Sequence, residues 1–318
     1  MRSKERLYWQ EHYVIETDPR EVAGAIKPLV FASGNERLSL VAFEHGSARP
    51  NILVSQGSGG HAYIFAELAY RMHLQGYNVF IMPKHGGRTV LELVRRHADA
   101  LEQLAQRFGE RTSVFAEGLG GYAAFYLALA GGRMQSLALQ NAPALLDEEQ
   151  WRAAIFGTQG AAARRKVFMP ILGLLVRAFP NLPLPLSTYL DFGELIDTYE
   201  PSRSVEERLV NDGYRKDPDF DRWYRLSAVL SLVTTPPPRP LAALRTPTLF
   251  IVARRGFIPP SYFRDLYERL PPISKQLTEV DGSVYWMLSH PSEAAALICG
   301  WFARSLPVET ASAASAGM

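Results

Sequence analysis

Between residues 51 and 142 short apolar runs alternate with stretches of helical period, and this alternation constrains the fold more than any other feature of the chain. NILVSQ (51–56), NVFIMP (78–83), SVFAE (113–117) and QSLALQNAP (135–143) are short and apolar enough to be buried strands. The segments between them, AYIFAELAYRMHLQG, TVLELVRRHADALEQLAQRFG and LGGYAAFYLALAGG, repeat apolar residues at helical spacing. The rhythm returns later as PTLFIVA, SYFRDLYERL, KQLTEV and PSEAAALICGWFARSL. Strands that alternate with helices join through right-handed crossovers, which predicts an α/β fold with a mostly parallel central sheet and helices on both faces. Ahead of this region AIKPLVF and LSLVAFE flank SGNE and read as an antiparallel hairpin.

The alternation stops near Leu145. From there to Pro240 the chain carries the apolar VFMPILGLLVRAF, the Pro/Leu segment NLPLPLSTYLDF, the charged amphipathic RSVEERLVNDGYRKD and a stiff connector, TTPPPRP. The expected organisation is a core in two parts, 1–144 and 241–307, interrupted by a mainly helical lid at 145–240. Small polar residues make 308–318 a flexible tail. With 318 residues, 47% of them hydrophobic, the core is ample. Lys and Arg (34) nearly balance Asp and Glu (32), so charge gives no reason to expect a nucleic acid or an anionic membrane as partner. The single cysteine, Cys299, rules out an internal disulfide and any cysteine-based zinc site, and its run ALICGWF marks it as a small buried hydrophobe. The charged N-terminus lacks the apolar core of a signal peptide, and no apolar run reaches the roughly 18 residues that span a bilayer. A cytoplasmic protein without a membrane span is expected.

The chemistry concentrates in FAEGLGGYAA (115–124), where an apolar strand enters a glycine-rich turn and a small-residue helix follows. That layout suits a nucleophile elbow, G-x-S-x-G, with Gly118 where the serine would stand. Together with the interrupted strand–helix pattern, this turn resembles the α/β-hydrolase superfamily, in particular its monoglyceride-lipase and serine-aminopeptidase-like group. The resemblance covers roughly residues 25 to 305. Gln56-Gly57 stands where that group has an HG dipeptide, and MPKHGGRT where it has an acidic segment after the next strand. The resemblance implies a Ser, acid, His order for the catalytic triad. It puts the acid in ARRGFIP, where Gly256 takes its place, and the histidine in EVDGSVYWMLSHP, where Val284 takes its place. All three triad positions are therefore expected to be vestigial: Gly118, Gly256 and Val284.

A serine hydrolase needs a nucleophile, a base to take its proton and a carboxylate to orient that base. Glycine and valine supply none of these. Backbone donors survive any such loss, and the resemblance assigns them to Ser58 and Leu119, an oxyanion-hole-like pair. The ligand-binding candidates are Gln56, His61, Tyr63, His85, Tyr122, Phe257, Asp281, Tyr285 and Trp286, with Phe168, Ile171, Leu174 and Leu175 of the lid. Each has a plainer reading as well: Ser58 as a turn former, Asp281 as a loop cap, the aromatic and lid residues as core. Glu117, just before the elbow tip, reads as a buried polar residue, and Arg254 and Arg255 as solvated or as anion-binding. The histidines suggest no metal cluster, and neither a metal nor another cofactor is expected.

Three functions remain open on the sequence. The first is a pseudo-hydrolase that binds a small hydrophobic or acyl-like molecule, or an unknown protein partner, without turnover. The second is a non-hydrolytic enzyme (a lyase, cyclase or isomerase) that uses Asp281, His61, His85 or Tyr285 as acid or base. The third is a hydrolase with a displaced nucleophile such as Ser58.

Overall fold

Eight strands form one sheet in the order β1-β2-β4-β3-β5-β6-β9-β10. A computed structural model of the chain describes residues 3–109, 111–142, 174–185, 204–256 and 258–305. The predicted hairpin is β1 (Lys27–Ser33) and β2 (Glu36–Phe43), which pair antiparallel from Lys27↔Ala42 to Ser33↔Glu36. β2 also runs antiparallel to β4 (Asn78–Ile81). Every other pairing is parallel, through β3 (Asn51–Ser55), β5 (Thr112–Glu117), β6 (Leu137–Gln140), β9 (Thr248–Arg255) and β10 (Lys275–Ser283). The central strands β3, β4, β5 and β6 are buried along their whole length, as their unbroken apolar runs require.

Two helices alternate with these strands on opposite sides. α3 (Ala66–Leu74) joins β3 to β4, and α4 (Val90–Phe108) joins β4 to β5. Because the chain steps one way across the sheet and then back, right-handed crossovers place α3 and α4 on opposite faces. α4 starts at a capping box, in which Thr89 and Glu92 bond each other's backbone N–H groups. α5 (Gly118–Ala130) continues from β5 and packs beside α4, while the terminal helix α10 (Pro291–Ser305) packs on α3. The reversal of direction between β3→β4 and β4→β5 makes the carboxyl ends of β3 and β5 a switch point, the place where open α/β sheets keep their ligand crevice.

Further elements flank and fill this frame. Two helices precede the sheet, α1 (Ser3–Tyr13) and α2 (Pro19–Ala25). Within 145–240 the described residues include α6 (Val205–Lys216) and α7 (Leu226–Thr234), and also a short antiparallel pair, β7 (Pro183–Pro185) with β8 (Trp223–Arg225). After β9 come α8 (Pro260–Arg269) and, between β10 and α10, the single turn α9 (Trp286–Ser289). α6 packs on α1 and α9, so it roofs the carboxyl edge of the sheet. A buried ion pair fixes it there: Arg255 at the end of β9 meets Glu207 of α6 at 2.7 Å. No described helix is long and apolar enough to cross a membrane.

Candidate functional site

The strand-to-helix turn at the carboxyl end of β5 is tight because Gly118 takes φ 51°, which a residue with a Cβ enters only under strain. The residue before it, Glu117, is buried beneath the loop that follows β3. A Cβ on Gly57 would fall 2.2 Å from Glu117 Oε2, so only glycine there lets the carboxyl lie against the loop. Glu117 Oε2 has no hydrogen-bond partner among the described residues. Burial pushes the Glu117 pKa up to about 8, and the Gly57 backbone N–H works the other way without offsetting it. The carboxyl is therefore mostly neutral at pH 7.

A pair of phenols borders the same loop, the Tyr214 hydroxyl 3.3 Å from where a Gly60 Cβ would stand. Tyr214, from the last turns of α6, stacks on Tyr285, which follows β10, with ring centroids 4.1 Å apart and planes 25° apart. Burial holds both hydroxyls well above their ordinary pKa; Tyr285 and Glu117 add to this at Tyr214, and Glu117 adds to it at Tyr285, where a hydrogen bond donated by Tyr214 works the other way without offsetting it, so both stay protonated. Glu117 also occupies a row of buried polar side chains across the sheet. Its register partner on β6 is Gln140, and the Ser55↔Ala116 pairing puts Gln56 beside it on the other side. Gln56 donates its amide to Met82 O at 3.1 Å and Gln140 to Val284 O at 3.4 Å. Their Oε1 atoms have no partner among the described residues.

Gly256 and Val284, expected at the places of the acid and the histidine, meet at Asn141, just past β6. Its Nδ2 donates to Val284 O at 2.9 Å, and its Oδ1 lies 3.4 Å from where a Gly256 Cβ would stand. Asn141 is the one non-glycine residue with positive φ (47°) among the described residues, a strained geometry of the kind that gathers at functional sites. At Gly118 a Cβ would stand 3.1 Å from Gly57 Cα, on the loop after β3.

A second polar centre lies on the same loop. His61 Nε2 shares a proton with Asp217 Oδ2 at 2.9 Å, and Tyr13 of α1 donates to the same oxygen at 2.8 Å. Burial raises the Asp217 pKa, but hydrogen bonds from His61, Tyr13 and the Asp219 N–H outweigh it and hold the carboxyl below its usual range. His61 Nδ1 is buried without a partner among the described residues. His61, Asp217 and Asp219 offer atoms within 4.8 Å of one another, a grouping of metal-ligand types that the sequence, with 156 residues between the first two, does not reveal. Nε2 and Oδ2 are committed to each other and Asp217 Oδ1 to the Asp219 N–H, so the group is a hydrogen-bonded dyad.

The other candidates fall in several places. His85 Nε2 bonds Gln56 O at 2.6 Å, and burial brings its pKa down to about 3, so it is a neutral support beneath the loop. Ser58 bonds Tyr224 of β8, and the Leu119 side chain is buried at the start of α5. Tyr122 points away, donating to Tyr126 and to Leu232 O of α7. Trp286 is buried against Gly282 and His290. Tyr63 faces a different cavity of about 270 Å³, between Trp9 and the first two strands. Asp281 is at the surface, 64% exposed, 3.8 Å from Arg255. Leu174 and Leu175 are exposed. Phe257, Phe168 and Ile171 lie outside the described residues. Four site residues carry no recognisable sequence signal: Tyr13, Asn141, Tyr214 and Asp217.

The family model for serine aminopeptidase, S33, matches residues 46–289. The chain belongs to that family, within the α/β-hydrolase superfamily. Among solved structures it is similar to the monoacylglycerol lipase of Paleococcus ferrophilus, at 19% identity over 85% of this chain and 99% of that one, with a TM-score of 0.64. It is likewise similar to a soluble variant of monoglyceride lipase from Saccharomyces cerevisiae, at 11% identity over 88% and 97% of the two chains, with a TM-score of 0.65. At these identities the likeness is one of fold. No curated protein sequence matches the chain significantly.

Proposed function

We propose that this chain is a degenerate member of its family, a pseudo-hydrolase that binds a small hydrophobic or acyl-like molecule without serine-hydrolase turnover. One observation carries the reading. The elbow tip is Gly118, and the loops where the acid and the histidine belong present Gly256 and the backbone of Val284 to Asn141. That arrangement supplies no nucleophile at the tip and no imidazole from the loop after β10. The acyl character of the ligand is drawn from the family and from the lipases that share the fold.

The test is direct. A serine-directed fluorophosphonate should leave the purified protein unlabelled, and p-nitrophenyl acyl esters should not be turned over. Extraction followed by mass spectrometry should recover an acyl or other apolar small molecule. Ester turnover abolished by Ser58→Ala would replace this reading with that of a displaced nucleophile. Glu117 favours a second reading, non-hydrolytic chemistry on the same frame, because a buried carboxyl with an unpartnered oxygen is a reactive group in its own right.

A further inference from the structure

We propose that Glu117 is a general base in this site, acting on a planar, uncharged carbon acid seated against the Tyr214–Tyr285 pair. The inference rests on the reading of the elbow as free of a nucleophile, and it adds an activity that this reading lacks. Three observations carry it. The carboxyl stands at the carboxyl end of the central strand, one residue before the elbow tip and at the switch point of the sheet. Glu117 is 5% exposed, and its Oε2 atom has no hydrogen-bond partner among the described residues, so that oxygen is available to take a proton. The loop that covers it also meets an aromatic pair: the Tyr214 hydroxyl lies 3.3 Å from where a Gly60 Cβ would stand, and Tyr214 stacks on Tyr285.

These features select the substrate class. Burial disfavours bringing a second anion beside an ionised carboxylate, so the substrate enters uncharged. A carbon acid then needs only two services. Glu117 takes the proton from carbon while the C–H electron pair moves into the adjacent carbonyl. The Tyr285 hydroxyl, which accepts from Tyr214 and keeps its own proton, donates a hydrogen bond to the oxygen on which that charge develops. Return of the same proton from Glu117 to another carbon of the enolate completes an isomerisation, with no oxidant, reductant or other co-reactant. The titratable groups around Glu117 are Tyr214 from α6 and Tyr285 after β10, with Tyr13 of α1 and the His61–Asp217 pair behind them.

A synthetic carbon acid tests the base without knowledge of the natural substrate. In 5-nitrobenzisoxazole, removal of the C3 proton forms the nitrile as the N–O bond breaks, and the electron pair leaves on a coloured phenolate. The full chain should accelerate this step beyond acetate at equal concentration. Its kcat/KM should rise with pH as one ionisation near the value about 8 held by Glu117. Glu117→Gln should lower kcat/KM by about 100-fold or more, the usual share of a positioned base. Glu117→Asp, which keeps the base but withdraws it, should recover part of the rate. Circular dichroism and the unfolding midpoint establish that each variant is folded. A rate no greater than that of acetate, a Gln variant that retains the activity, or a profile that follows a histidine-like ionisation in place of Glu117 overturns the proposal. Fluorophosphonate labelling separates the two readings: a labelled protein refutes the nucleophile-free elbow, whereas loss of the dependence on Glu117 refutes only the base.

Discussion

Replacing Glu117 with glutamine should change how stability depends on pH, and the size of the change follows from the burial of the carboxyl. The folded protein holds the Glu117 proton to about pH 8, whereas an unfolded chain releases it near the ordinary value of 4.5. Between those values the folded state binds more protons than the unfolded state, so the contribution of Glu117 is fully present below 4.5 and is lost as pH rises through 8. At about 1.4 kcal/mol per unit, the loss between pH 5 and pH 8 amounts to roughly 4 kcal/mol. Glutamine has the shape of the neutral acid and does not titrate. Glu117→Gln should therefore match the wild type at pH 5 within about 1 kcal/mol and exceed it by roughly 4 kcal/mol at pH 8. His85 and His97 are also buried and neutral, with pKa values brought down to about 3 and about 4 mainly by desolvation. Their pH dependence is common to both proteins and cancels in the difference. Urea unfolding followed by tryptophan fluorescence reads this as a midpoint gap that opens by about 1 M or more between the two pH values. A constant gap from pH 5 to 8 would refute the reasoning, since it would mean that Glu117 ionises like a solvated carboxyl.

Two further substitutions test the frame around the site. Gly118→Ser should cost about 1–2 kcal/mol, because the new Cβ must adopt φ 51° and lies 3.1 Å from Gly57 Cα. The variant should still fail to hydrolyse p-nitrophenyl esters, and turnover by it would show that a base already stands in reach of the tip. Glu207→Gln takes the carboxylate at 2.7 Å away from the buried Arg255 guanidinium, a loss that the exposed Asp281 at 3.8 Å does not make good, and should cost about 3 kcal/mol in urea unfolding. Hydrogen exchange should then rise along α6 ahead of the central strands, and uniform exchange would show that α6 is held by other contacts.

The sheet was legible because its central strands are buried on both faces, so that NILVS, NVFI and LALQ carry apolar or small residues at nearly every position. The elbow was legible for a related reason: only a glycine-rich strand end can turn so sharply into α5. Which side of an aromatic residue faces the site was not. Tyr122 and Tyr285 look alike in sequence, yet one packs toward α7 and the other on Tyr214 of α6. The His61–Asp217–Tyr13 cluster was not legible either, because each partner is an ordinary residue whose role depends on tertiary contact across 156 or 204 residues. Glu117 was read as a buried polar group. Its burial is as expected, but the unpartnered oxygen is a property of its surroundings, which no local pattern encodes.

Tyr13 and Asp217 stand 204 positions apart, and Tyr8 of the same helix donates to Gly213 O across 205. The first helix of the chain thus holds the roof of the site in place. On a ribosome, α1 emerges well before the surface it joins, which needs α6 and the turn beyond it. Loops this long close slowly, because the entropy of closure is lost before the contact forms. The sheet between β3 and β6 can assemble from nearer neighbours in the meantime. The carboxyl edge is then completed late, when α1 meets α6 and Tyr285, made later still, stacks on Tyr214.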